Sequence, residues 1–201
     1  MKLKSHIIIA NMIVDILEKQ IDIKVDRDSL ELGAVYPDMN LPKRVRIHNL
    51  KQVYNNYNIQ TRNFINKNKN RLGVSFSLGM LSHYVCDTFC LAHNMKMRNF
   101  NDFKRHVRYE NALSDYLVHY KIGTNVIDDV VDNLMRCTEF DIYNFLGEYK
   151  KEYLQKANFE DYSNQFIQDI EYSIVCSTAV MLGFICELEN AQCAAVEVLH
   201  V

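Results

Sequence analysis

His83, Asp87, His93, His106 and Glu110 stand in the order H-x3-D-x5-H-x12-H-x3-E. Imidazole nitrogens and carboxylate oxygens together are the ligand set of a hydrolytic zinc site. Two of the pairs, His83/Asp87 and His106/Glu110, have the i,i+4 spacing that puts both side chains on one face of a helix. Three of the chain's seven histidines fall in this run, and two more, His6 and His48, lie upstream of it. That concentration points to a multinuclear metal centre.

The elements that must position these groups read as helices. Six Gly and two Pro in 201 residues leave few breakers, and no strand alternation, internal repeat or linker interrupts the chain. One all-α domain over 1–201 is the simplest architecture. The spacing predicts a first helix over 5–20, capped by Ser5, with His6, Ala10, Ile13 and Leu17 on its apolar stripe. A short turn over 29–32 leads into an irregular segment, 33–48, which holds both prolines, Asp38 and, at its end, His48. A polar helix over 49–69 follows. A continuous helix over 71–93 puts Phe76, Met80, His83, Asp87 and Leu91 in one stripe. A helix over 101–120 does the same for Phe103, His106, Glu110, Leu113 and Leu117. Further helices are expected over 124–137, 140–157 and 161–188, with 189–201 either continuing the last one or fraying.

Placement matters more than count. Each His/carboxylate pair lies on an apolar stripe, and burying a lone carboxylate is costly unless it is paired or ligates a metal. Arginine is sparse in those stripes, so metal answers the cost at both helices. Taken singly the features are weaker. An H-x3-D pair is commonly an exposed helix contact, His6 alone would read as a satisfied core histidine, and His48 alone as a helix cap.

A net charge of −2 and a pI of about 6.4 supply no basic field for nucleic acid, so no stable nucleic-acid partner is expected. The six cysteines contain no C-x2-C pair and read as reduced thiols; Cys86 and Cys90, flanking Asp87, read as helix packing. The apolar stretch near the amino end is interrupted by His6 and Asp15 and shows no cleavage site. The other apolar run, 174–186, contains Ser177 and Thr178 and is too short for a bilayer, so no transmembrane segment is expected. A cytoplasmic location follows, unless a leader was removed before residue 1.

Five pieces of the chain carry a resemblance: SHIII at 5–9, YPD at 36–38, RIH at 46–48, LSHYVCDTFCLAH at 81–93 and HVRYE at 106–110. In this order they resemble the zinc-dependent phospholipase C family of bacteria, an all-α fold with a three-zinc site that related fungal zinc nucleases share. The resemblance implies that His48, His83 and Asp87 bind one zinc and that His93, His106 and Glu110 bind a second. It implies a third at His6, bridged by Asp87. Asp38 matches a loop aspartate near the metals that serves as ligand or general base. Secreted family members close the third site with an amino-terminal Trp, and this chain has no Trp. Met1, five residues before His6, would supply its amine and carbonyl instead.

The implied cofactor is two or three Zn2+ per chain. The implied reaction is hydrolysis of a phosphoester, most simply a diester such as a phospholipid head group, by a metal-activated hydroxide. Two other readings stay open: a zinc nuclease or nucleotidase, and a metal-binding helical protein without catalysis. No strongly basic amphipathic helix and no appended lipid-binding domain are evident, so Tyr54, Tyr57, Tyr84 and Tyr109 are the candidates for lipid contact. His119 and His200 match no motif position. Oligomeric state is left open.

Overall fold

Two helices are apolar on nearly every face, and the rest of the chain wraps around them. The computed structural model describes residues 1–40, 49–67, 71–123, 125–126, 128–130, 141–158 and 162–198, and among them there is no strand. The main helices are α1 (Leu3–Gln20), α2 (Arg27–Met39), α3 (Leu50–Lys67), α4 (Arg71–Thr88), α5 (Leu91–Asn94), α6 (Phe100–Leu117), α7 (Ile142–Lys156) and α8 (Tyr162–Val198). His48 and most of the helix expected over 124–137 lie outside the described residues.

Helix α4 is the axis. From Ser77 to its end every residue is buried, and α8 is buried in the same way over 173–184. By length and composition α8 would cross a bilayer over Tyr162–Asn190, but 78% of its most apolar stretch is packed inside the protein, as a core helix requires. Amphipathic α1, α2, α3, α6 and α7 surround this pair with one apolar face each. In α1 that face is His6, Ala10, Ile13 and Leu17, as the spacing predicts, all fully buried.

The sequence expectation fails instructively in four places. Ser5 is not a cap: α1 begins at Leu3, Lys2 occupies the cap position, and Ser5 is buried inside the first turn. The irregular segment begins later than expected, because α2 continues through Pro37 to Met39. Pro37 sits in the last turn, where its missing N–H forfeits a single bond, to Gly33 O, and the helix closes soon after with Asn40 N–H donating to Tyr36 O at 3.0 Å. The helix expected to run unbroken to His93 stops at Thr88 and restarts at Leu91. Phe103, placed on the buried stripe of α6, is half exposed.

Helices α2 and α4 cross at two glycines. A Cβ on Gly33 would lie 2.1 Å from Phe76 O, and one on Gly79 would lie 2.0 Å from Leu30 O. Backbone therefore meets backbone at this crossing, and nothing larger than hydrogen fits. The approach sets the Ala34 carbonyl against the His83 ring. Gly79→Ala is accordingly expected to cost about 1–3 kcal/mol or more of stability, measured by denaturant unfolding. An unchanged midpoint would mean that the crossing tolerates separation.

Candidate metal centre

Four segments carry their polar groups to one buried point. The first turn of α1 brings Met1 and His6. Helix α4 brings His83 and Asp87, a turn apart on one face. The break after α4 and the short α5 bring His93. Helix α6 brings His106 and Glu110, again a turn apart.

The break is what admits His93. At about 100° per residue, a helix continued from Asp87 would rotate His93 by about 240°, onto the far side of α4. Instead the Thr88 hydroxyl donates back to Tyr84 O at 2.8 Å, Cys90 adopts an extended conformation, and α5 starts afresh at Leu91. The restart is anchored from below. Leu91 N–H donates to Asp169 Oδ2 at 2.9 Å, and Asp169, fully buried on α8, also accepts from Tyr109 (2.8 Å), Tyr153 (2.7 Å) and Gln165 (2.7 Å). Tyr109 immediately precedes Glu110. One carboxylate thus holds both the start of α5 and the middle of α6. Asp169 carries the same signal as Asp87, an acid on an apolar helix stripe, but it belongs to no motif.

Backbone carbonyls orient two of the imidazoles. His83 Nδ1–H donates to Ala34 O at 2.8 Å, and His106 Nδ1–H donates to Ala92 O at 3.0 Å. A carbonyl can only accept, so Nδ1 carries a proton in each ring and Nε2 is turned toward the centre, where in the neutral ring it offers its lone pair, as in a metal-binding histidine. His6 is fully buried, stacks on His83 with centroids 3.9 Å apart, and among the described residues has no hydrogen-bond partner at either ring nitrogen.

The donor atoms fall into two groups, His6/His83/Asp87 and His93/His106/Glu110, each within 4.8 Å. In the first, Asp87 Oδ1 is 3.3 Å from His6 Nε2 and Oδ2 is 3.4 Å from His83 Nε2. In the second, Glu110 Oε1 is 3.1 Å from His93 Nε2 and 3.2 Å from His106 Nε2. Tetrahedral zinc with bonds near 2.1 Å separates its ligand atoms by about 3.4 Å. Asp87 links the groups, with Oδ1 also 3.2 Å from His93 Nε2. The Met1 amine contacts Asp87 Oδ1 and stands 2.8 Å from His93 Nε2 and 3.1 Å from Glu110 Oε1. His93 Nε2 faces three polar atoms at once, the Met1 amine and one oxygen each of Asp87 and Glu110, and carries at most one proton to share among them. Asp38, on α2, stands at the rim, partly exposed, with Oδ1 3.9 Å from His83 Nε2.

Electrostatics follow from burial opposed by close charge. Burial alone would push the Asp87 carboxyl up, but His93, the Met1 amine, His6 and His83 hold it well below the usual carboxylate range. Glu110 is likewise held down against burial by hydrogen bonds from His106 and His93. Burial lowers His93, while the bond to Glu110 raises His106. Burial disfavours the Met1 ammonium, yet the negative charges beside it, Asp87 foremost and then Glu110, raise it to about 12. A metal taking that nitrogen must therefore displace a proton.

Cys86 and Cys90 stand outside both groups. Burial pushes both thiols up, Cys86 to about 12, and the Cys86 sulfur faces Ser177 on α8. They are packing residues, and the described cysteines are free thiols. Tyr57, Tyr84 and Tyr109 are buried and do not form a lipid-contacting surface.

The fold and this donor set agree with what the chain matches. The family model for zinc-dependent phospholipase C matches residues 5–174. The chain belongs to the zinc-dependent phospholipase C family. No curated protein and no solved structure matches it.

Asp169 offers a pH test of the anchor. Burial raises its carboxyl to about 6, although four donors pull the other way. A folded value above the unfolded one, near 4, means that the folded state binds this proton more tightly. The resulting stabilisation is full below about pH 4 and disappears as pH rises through about 6. Stability relative to Asp169→Asn is expected to decline over that interval and level off above it, in paired thermal melts. A pH-independent difference would show that Asp169 keeps an ordinary carboxylate's behaviour.

Proposed function

We propose that this chain is a phospholipase C-like phosphodiesterase that hydrolyses a phospholipid head-group ester with two or three Zn2+. The observation that carries the reading is Asp87, whose two oxygens reach donor atoms of both groups. In this reading His6, His83 and Asp87 serve one ion, with His48 as a further ligand. His93, His106 and Glu110 serve another. The Met1 amine, between Asp87, His93 and Glu110, serves a third or shared position. When bound, zinc supplies a water acidified to a pKa of about 7 and a Lewis acid for the phosphoryl oxygen.

The chain's own groups do the rest. His83 and His106, fixed through Nδ1 by carbonyls, hold their Nε2 lone pairs in place. Asp87 and Glu110 bring two negative charges, and Asp38 a third. Against four or six positive charges from two or three zinc ions, a surplus remains to attract a phosphate anion. Asp38 sits at the rim with its carboxylate open to solvent, placed to accept the proton of the water that attacks phosphorus in line.

The first measurement is zinc per chain by mass spectrometry on protein with its native amino terminus; two or three ions are expected. No retained metal after zinc is supplied would sink the enzymatic reading. Adding one residue before Met1 should lower zinc content and turnover together, and unchanged values would remove the amine from the centre. Asp38→Asn should reduce phosphodiester turnover by about 10²-fold or more with zinc content intact; full activity would assign Asp38 no part in proton transfer. Turnover of single-stranded nucleic acid without any of phospholipid would move the substrate to the nuclease side.

A further inference from the structure

We infer that residues 95–108 form a docking surface for an anionic phospholipid membrane, set against the metal centre. The inference rests on the lipid-directed reading of that centre. Among the described residues ten large hydrophobic side chains are exposed, and three of them, Met97 (59%), Phe100 (67%) and Phe103 (50%), fall within seven residues. Phe100 is the most exposed of all ten. Its ring lies nearly parallel to that of Phe103, with centroids 6.3 Å apart and 19° between planes, so the two present one aromatic surface. Aromatic surface gathered in this way is a natural starting point for an interaction site.

Charge decides what it meets. The same segment carries Lys96, Arg98, Lys104, Arg105 and Arg108 against Asp102 alone, in a chain whose net charge is −2. All five cations are exposed. Lys104 Nζ stands 4.7 Å above the Phe100 ring, and Arg105 pairs with Asp102 at 3.6 Å. Among the described residues Lys96, Arg98 and Arg108 have no ion-pair partner. Apolar rings framed by long cationic side chains suit an interface in which rings enter the acyl boundary while cations meet phosphate head groups.

The patch is built rigidly and stands in the right place. Asn99 caps α6 by accepting from Asn101 N–H and Asp102 N–H, and Asp102 accepts from Arg98 N–H at 3.0 Å. Phe103 precedes His106 by one turn on the helix face that continues to Glu110, so the aromatic surface begins about 5 Å along the axis from a metal-ligating position. A lipid held at Phe100 and Phe103 would lie about one helical turn from His106.

The test is co-sedimentation of the intact protein with phosphatidylcholine vesicles with and without phosphatidylserine. Binding is expected with phosphatidylserine, weakening as salt rises. Phe100→Ser/Phe103→Ser should lower the partition coefficient about tenfold or more, with zinc content and melting temperature unchanged. Lys96→Glu/Arg98→Glu should remove the preference for anionic vesicles. Failure of the wild type to bind either vesicle, equal binding by the double-serine variant, or retention by an acidic protein alone would each overturn the inference. Vesicle binding without lipid turnover would uphold docking and count against the enzymatic reading. Turnover of a soluble diester without vesicle binding would do the reverse.

Discussion

The structure depends on keeping the Asp87 carboxylate in the interior of a helical bundle. An ionised carboxylate moved from water into such surroundings carries a penalty of several kcal/mol unless it is compensated. Compensation here comes from four groups: His83 from the same helix, His6 on α1, the Met1 amine just before α1, and His93 from beyond the break. Each must arrive within hydrogen-bonding or ligand distance, and the surrounding architecture can be read as what each arrival requires. The glycine crossing lets α2 steady His83, the break in α4 returns His93, and the start of α1 is drawn down until Met1 is buried.

A second buried carboxylate supports the first without touching it. Asp169 holds the beginning of α5 and the centre of α6 through Leu91 and Tyr109. The two acids differ in what surrounds them. Asp87 is ringed by cations and imidazoles and stays ionised at low pH; Asp169 is ringed by neutral donors and is pushed up toward neutrality. One suits a cation-binding centre, the other a scaffold.

Much of this was legible in the order of residues. The all-α class follows from helical periodicity and the scarcity of breakers, and the motif spacing singled out the histidines and carboxylates that converge. What was not legible has physical causes. A carbonyl such as Ala34 O or Ala92 O looks the same in every residue, so the groups that orient His83 and His106 leave no trace in the sequence. The break at Phe89 and Cys90 contains neither Gly nor Pro, and the group that receives the restarted chain, Asp169, lies 78 positions further on. Pro37 signals a helix end but falls in the last turn, where α2 continues regardless. Phe103 shares the stripe of His106 and Glu110, yet lies beyond the end of the core, so periodicity alone places it inside.

The contacts that complete the centre span long stretches of chain. Met1 meets Asp87 across 86 positions, and Leu91 meets Asp169 across 78. During synthesis the amino terminus emerges first but finds its partners only after α4 and α6 have followed, and the strut beneath α5 waits for α8. Contacts of such separation form late, after local helices have condensed. A nascent chain therefore carries these donor groups without their geometry, and gathers them into one centre only after α8 has emerged. Topology alone keeps the donor set dispersed in a half-made copy.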